Sequence, residues 1–222
     1  MSDSIPMTAK ERKEFENAKR VFEELLDDFN VRGLLRKGTS HDQREKLSKM
    51  WRQSHQFGQA FNTMFKIFDT ADHVKAFAAR NKVDGINEEV LTGSFLNQMI
   101  GLFLYDIETV FKTSLIFFLE EKQGLRKRME LGKLLKAIKK ISPKIWSKLK
   151  PLIDLELRNA FAHGAFWFEA GGEAHLAKNS HLTNPKNLKF HELLIRVKKQ
   201  NIVAHAFVKV LMEKVDQGYF KS

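Results

Sequence analysis

The 222-residue sequence predicts an all-α protein carrying one small β-hairpin, and three observations lead there. Apolar residues recur at helical spacing over long stretches. Gly and Pro are few, 12 and 4 residues, so regular segments run without interruption. Only one short segment, Ala165 to Ala177, gathers aromatics around a Gly171-Gly172 pair in the manner of a hairpin.

The elements follow in order. From Ala9 to about Leu35, Phe15, Ala18, Phe22, Leu25, Leu26 and Phe29 form one stripe, closed by Gly33 and Gly38. Ser40 is placed to cap a second long helix, Asp42 to Arg80, with Trp51, Phe57, Phe61, Met64, Phe65 and Phe68 along it. Its length calls for a break near Asp69 to Asp72, and Lys82-Val-Asp-Gly reads as a turn.

Glu88 to Glu121 is apolar nearly all round, through Phe95, Met99, Leu102, Phe103, Val110, Phe111, Leu115 and Phe118, and is the expected central helix. Asp106 and Glu108 sit in its middle, so at least one of them calls for a cationic partner elsewhere. A basic helix, about Met129 to Lys140, comes next. Ser142-Pro143 then marks a helix start, and Pro151 restarts the chain as a run from Leu152 to His163, closed by Gly164. After the hairpin, at about 165–178, Asn179 to Asn187 reads as loop and His191 to Val215 as a last amphipathic helix.

Composition removes several function classes. Cys is absent, which excludes disulfides, thiolate chemistry and Cys-ligated zinc. No His pair has metal-ligand spacing with a nearby acid; in His191-Glu192, Ile195 stands where the second ligand belongs. There is no Gly-x-Ser-x-Gly elbow, and around Gly132-Lys133 both Lys127 and Leu134 break a phosphate-loop pattern. Neither a metal nor a cofactor is expected. The longest apolar run, Val90 to Tyr105, falls short of the roughly 18–20 residues a span needs. With no signal-peptide pattern at Met1 to Met7, a soluble, cytoplasmic protein without a membrane partner is expected.

Net charge is +11, and its location is informative. Between Lys122 and Lys150 nine Lys and two Arg stand against one acid, Glu130, a net charge of +10. A basic stripe of this kind suits a polyanion, nucleic acid foremost, although a solvated helix face reads the same way. Lys133, Lys136, Lys139, Lys140, Lys144 and Lys148 are the candidate nucleic-acid contacts.

The stripe leads into Asp154-Leu-Glu-Leu-Arg158-Asn159-Ala-Phe-Ala-His163-Gly164. At 100° per residue, Ile153, Leu157, Ala160 and Phe161 share a core face, while Arg158 and His163 flank a second face centred on Leu155 and Ala162. A face of small apolar residues between Arg and His suits a second copy of the chain. Each residue also has a plain structural reading. Arg158 can pair with Asp154 one turn back or neutralise Asp106 or Glu108, His163 suits a helix C-terminus, and Asn159 suits a cap or turn.

The segment resembles the Arg-x(4–6)-His motif of HEPN domains, the higher-eukaryote and prokaryote nucleotide-binding family, in which a polar residue often follows the Arg and the His closes the helix. Leu131-Gly-Lys-Leu-Leu-Lys is similar to the stretch that often precedes that motif. A second pair of equal spacing, Arg36 and His41, lies in a Gly/Ser/Thr loop and lacks the Asn and the closing Gly. The resemblance covers about Thr92 to Val215. It implies an antiparallel helical bundle of the HEPN type: residues 1–8 a polar tail, 9–222 one domain, 9–80 an elaborated N-terminal part and 88–222 the motif-bearing bundle.

It further implies a homodimeric, metal-independent ribonuclease of toxin–antitoxin or antiviral defence systems, with RNA as substrate and an antitoxin or defence protein as partner. His163 acts as general base or acid, Arg158 meets the charge on the transition state, and Asn159 orients His163 or a phosphate oxygen. Glu108, or failing it Asp106, holds Arg158, with Asp154 in support. The alternative is a non-catalytic module that binds RNA, a nucleotide or a protein through the same cleft.

Overall fold

The structure, a computed structural model, describes residues 7–37, 41–69, 88–126, 128–168, 173–177 and 186–220. The polar tail before Met7, the Ser40 cap, residues 70–72, the turn at 82–85 and the Gly171-Gly172 turn lie outside them, as do the side chains of Phe61, Met64, Phe65, Phe68 and Phe95.

Helix α1 is Ala9–Val31, opened by a reciprocal capping box between Thr8 and Glu11. It closes at Arg32 and Gly33, where Leu34 N–H reaches back to the Phe29 carbonyl at 2.9 Å. Its buried stripe, Ala18, Val21, Phe22, Leu25, Leu26 and Phe29, matches the helical period except for Phe15, which is half-buried. Helix α2 is His41–Asp69. The central apolar helix is one continuous run in three parts. They are α3 (Glu88–Leu104), a π-helical stretch (Tyr105–Thr113) and α4 (Ser114–Phe118). The Thr113 hydroxyl donates to the Glu108 carbonyl at 2.8 Å, five residues back, in keeping with that wider register.

The basic helix α5 is Leu131–Ile141, burying Leu131, Leu134, Leu135, Ile138 and Ile141 and turning its lysines outward. Helix α6 is Pro143–Leu149, with Pro at its first position as expected. Ser142 does not cap it. The Ser142 hydroxyl is turned to the Asp28 carboxylate instead, because the residue is buried against α1. Pro151 sits in a 3-10 turn, Lys150–Leu152, and Ile153 is extended. The motif helix α7 therefore begins at Leu155, later than expected, and runs to Ala162.

The sheet has three antiparallel strands in the order β1-β2-β3, and so exceeds a simple hairpin. They are β1 (Phe166–Phe168), β2 (Glu173–Leu176) and β3 (Lys186–Lys189). Phe166 pairs with Leu176, and His175 with Asn187. Residues 186–187, expected in a loop, are thus strand. Lys186-Asn-Leu-Lys carries a single apolar residue, and its pairing with β2 makes it a strand. Helix α8 is Phe190–Asp216.

Contacts give the directions. Glu11 meets Lys198, Phe22 meets Phe207 and Asp27 meets Lys214, so α1 and α8 run parallel. Asp106 with Asn201 and Phe111 with Phe207 make the central helix parallel to α8 as well. The expected antiparallel order holds for α2 against the central helix, where Phe57 meets Tyr105 and Ser114 meets Met50. It holds too for α7 against the central helix, where Phe103 meets Phe161 and Glu108 meets Arg158. Long connections carry no rule of direction, whereas short ones between neighbours impose antiparallel packing. Phe22, Phe111 and Phe207 form the aromatic centre, with centroids 4.9 to 5.9 Å apart.

Candidate functional site

Helix α7 has only eight residues, too few to persist without help, and it is fastened at both ends. At its start the Asp154 carboxylate accepts the Leu157 N–H at 3.0 Å as N-cap. The same carboxylate takes the Arg196 fork from α8, at 2.6 and 2.5 Å, and Arg196 also reaches Glu156 at 3.0 Å. Asp154 is therefore committed to α8, and its suggested pairing with Arg158 does not form.

At its end, His163 is the C-cap and Gly164 takes a φ of +63°, the left-handed position for which glycine is suited. Ala165 N–H returns to the Ala160 carbonyl at 2.8 Å and Gly164 N–H to the Phe161 carbonyl at 3.4 Å, closing the last turn. Leu157, Ala160 and Phe161 are buried as their spacing required, with Phe161 edge-on to Phe103 and to Phe166. Leu155 is half-buried against the core, which leaves Ala162 as the exposed apolar residue between Arg158 and His163.

Arg158 crosses to the π-helical stretch. Its Nε donates to Glu108 Oε1 at 2.7 Å, its Nη2 meets the same oxygen, and its Nη1 donates to Asn159 Oδ1 at 3.1 Å. Glu108 Oε2 accepts from Lys112, four residues on. A chain of charge thus runs Lys112, Glu108, Arg158, Asn159. Burial works to raise the Glu108 carboxyl, but the hydrogen bonds and charges of Lys112 and Arg158 outweigh it and hold its pKa below the ordinary value. His163 and Asn159 are exposed, and the His163 imidazole makes no hydrogen bond among the described residues. The decoy Arg36 donates to the Leu119 carbonyl at 3.2 Å, a structural contact.

Asp106, two residues from Glu108, faces another way and takes no part. It is fully buried and meets no cation among the described residues; Ser54 Oγ and Asn201 Nδ2 each donate to it at 2.8 Å. His205 Nε2 lies 3.2 Å from the same Ser54 hydroxyl. Burial pushes the Asp106 carboxyl up to about 7, against those two hydrogen bonds, and pushes His205 down to about 4 with a contribution from His55. The cluster depends on Gly58: a Cβ there would stand 2.7 Å from Asn201 Oδ1.

The basic stripe lies on the surface. Lys148 pairs with Glu24 at 2.6 Å and Lys133 with Glu130 at 3.4 Å, whereas Lys136, Lys139, Lys140 and Lys144 are exposed and form no ion pair among the described residues. Beside Lys112 there is an open depression of about 430 Å³, lined by Thr113, Ile116, Arg128, Met129 and Glu130. Among the described residues no group of His and acids could hold a metal ion.

Sequence reasoning overlooked Lys112, which its four-residue spacing from Glu108 could have flagged. It also overlooked Ser54, Asn201 and His205, for which a buried acid on an apolar helix was the only signal. Among the described residues no helix is long and apolar enough to cross a membrane. No family model, curated protein or solved structure matches the chain.

Proposed function

We propose that this protein is a HEPN-like endoribonuclease that needs no metal and works as a cytoplasmic homodimer in a toxin or antiviral defence role. The observation that carries the reading is the Glu108–Arg158–Asn159 chain, which ties the helix ending in an exposed, uncommitted His163 to the π-helical stretch. A guanidinium has five N–H donors. The contacts to Glu108 and Asn159 engage three nitrogens but not every proton, so donors remain for phosphate oxygens.

In this mechanism His163 takes the proton of a ribose 2′-OH, or gives one to the departing 5′-oxygen. The O2′–P bond forms, the P–O5′ bond breaks, and the products are a 2′,3′-cyclic phosphate and a 5′-OH. Arg158 meets the charge that gathers on the phosphorus oxygens, held in place beforehand by Glu108. Ala162, exposed between Arg158 and His163, favours a second copy docking along α7. Such docking sets two motifs across one cleft.

The test is an RNA digest in EDTA. Wild type is expected to release 2′,3′-cyclic phosphate ends and to leave DNA intact, and both Arg158→Ala and His163→Ala to lose at least about a hundredfold in rate. A requirement for added metal, or full activity in His163→Ala, overturns the proposal. One observation favours the second reading, a non-catalytic binding module: Glu108 already neutralises much of the Arg158 charge with no ligand bound. In that case RNA stays intact with every variant, and Arg158→Ala weakens binding alone.

A further inference from the structure

We propose that the exposed cleft between the end of α1 and the outer face of α5 is a phosphate-binding site, and that it seats backbone phosphates of RNA. Two features set this cleft apart from the rest of the surface. The first is charge. Elsewhere the cations that pack helices together meet carboxylates, as Lys19 does Glu213 at 3.1 Å, Lys214 does Asp27 at 2.5 Å and Lys198 does Glu11 at 2.5 Å. On α5 they do not. Lys136 and Lys140, one turn apart on one face, repel each other and have no ion pair among the described residues.

The second feature is shape. The cleft has a volume of about 570 Å³ and is lined by Arg32, Gln123, Gly124, Lys136, Ala137 and Lys140. Arg32, at the end of α1, lines the same space as the two lysines of α5. Its Nε is anchored to Asp28 at 2.8 Å, and that carboxylate also accepts the Ser142 hydroxyl. Neither terminal amino group of Arg32 is hydrogen-bonded among the described residues, so a guanidinium with free donors and two unpaired lysines line one concave space. Gln123, with a positive φ of 52° that is unusual for a side-chain-bearing residue, and Gly124 line the cleft as well. Three cations around a concavity concentrate the field there, and clustered phosphates are the chemistry that answers it. The cleft shares no residue with the Lys112–Glu108–Arg158 chain.

Assigning the phosphates to RNA rests on the function proposed above; affinity for clustered phosphate does not. The test uses the full chain carrying His163→Ala, so that bound RNA persists, with fluorescein-labelled single-stranded RNA titrated by anisotropy at several salt concentrations. Adding Lys136→Gln with Lys140→Gln is expected to weaken binding about tenfold near 100 mM salt and to flatten the log–log salt slope by about 1.4, the share of two phosphate contacts on a single strand. Arg32→Gln is expected to flatten it by about 0.7. Lys199→Gln, on an exposed turn of α8, is the control and leaves both unchanged. Thermal melts of the α5 variants at or above the parent's show that the loss is not misfolding.

Calorimetry with sodium pyrophosphate separates the sources. Binding of RNA and pyrophosphate, both weakened by the α5 substitutions, supports the proposal. Pyrophosphate binding that the substitutions abolish, with no RNA bound by any form, overturns the RNA assignment and leaves a site for free oligophosphates. RNA bound equally well by parent and variants overturns the cleft and leaves the ribonuclease reading standing.

Discussion

Asp106 is fully buried between Ser54, Asn201 and their helices, and among the described residues no cation meets its carboxylate. Its carboxyl is held at about 7, against roughly 3.9 in an unfolded chain. Below about pH 4 the group is neutral in both states and costs nothing. As pH rises to 7, the unfolded chain releases the proton that the folded one keeps, and stability falls by an amount on the order of 4 kcal/mol. His205 runs the other way: the contribution of its neutral form is complete above about 6.5 and is lost as pH falls toward 4. Asp106→Asn keeps the shape without the charge. It is therefore expected to be more stable than wild type by about 2–4 kcal/mol at pH 8 and nearly equal to it at pH 4. Urea unfolding at stepped pH checks this, and parallel profiles for the two proteins contradict it. Glu108 meets the opposite fate because Arg158 and Lys112 face it; its contribution is present above its unfolded pKa and lost only as pH falls below that value.

At the scale of the element, α7 shows what a short helix needs in order to present a site. Its eight residues depend on Asp154, which caps the first turn and receives Arg196 at once. Asp154→Ala removes the cap, worth about 0.5–2 kcal/mol, and strips Arg196 of its nearer partner. A loss of about 2–3 kcal/mol in chemical denaturation is expected, with faster amide exchange over 155–162. Unchanged exchange there means that Asp154 is not what holds α7.

This element was only partly legible in sequence. The apolar face of Leu157, Ala160 and Phe161 was plain from spacing, and Gly164 was plain as a terminator. The start was misplaced because Pro151 signals a restart that the chain postpones through a 3-10 turn and an extended Ile153. Strand β3 and the π-helical stretch were invisible for another reason. One owes its form to pairing with β2, and the other is a wider hydrogen-bond register that residue spacing at helical period does not distinguish from an α-helix. The Glu108–Arg158 contact was foreseeable as the need of an acid on an apolar helix; the choice between Asp106 and Glu108 was not.

Across the whole molecule, stability concentrates where α1, the central helix and α8 meet in Phe22, Phe111 and Phe207. Phe207 is fully buried, and Phe207→Ala is expected to cost about 3–5 kcal/mol, a large share of the stability of an ordinary domain. Val31, 87% exposed at the end of α1, is the contrasting position: Val31→Ser is expected to change stability by less than about 0.5 kcal/mol. Equal effects from the two substitutions in urea contradict this account of the core.

The parallel pairing of α1 with α8 has a consequence in time. The Asp27–Lys214 contact joins positions 187 residues apart. A ribosome adds roughly 5–20 residues each second, so the apolar stripe of α1 waits about ten seconds or longer before residues 190–216 exist to cover it. During that interval Phe22 has Phe111 of the central helix to pack on but not Phe207, so α1 presents a half-covered helical face of the kind holding chaperones recognise. A chain that stops short of residue 190 therefore lacks the partner that Phe22 and Asp27 meet on α8.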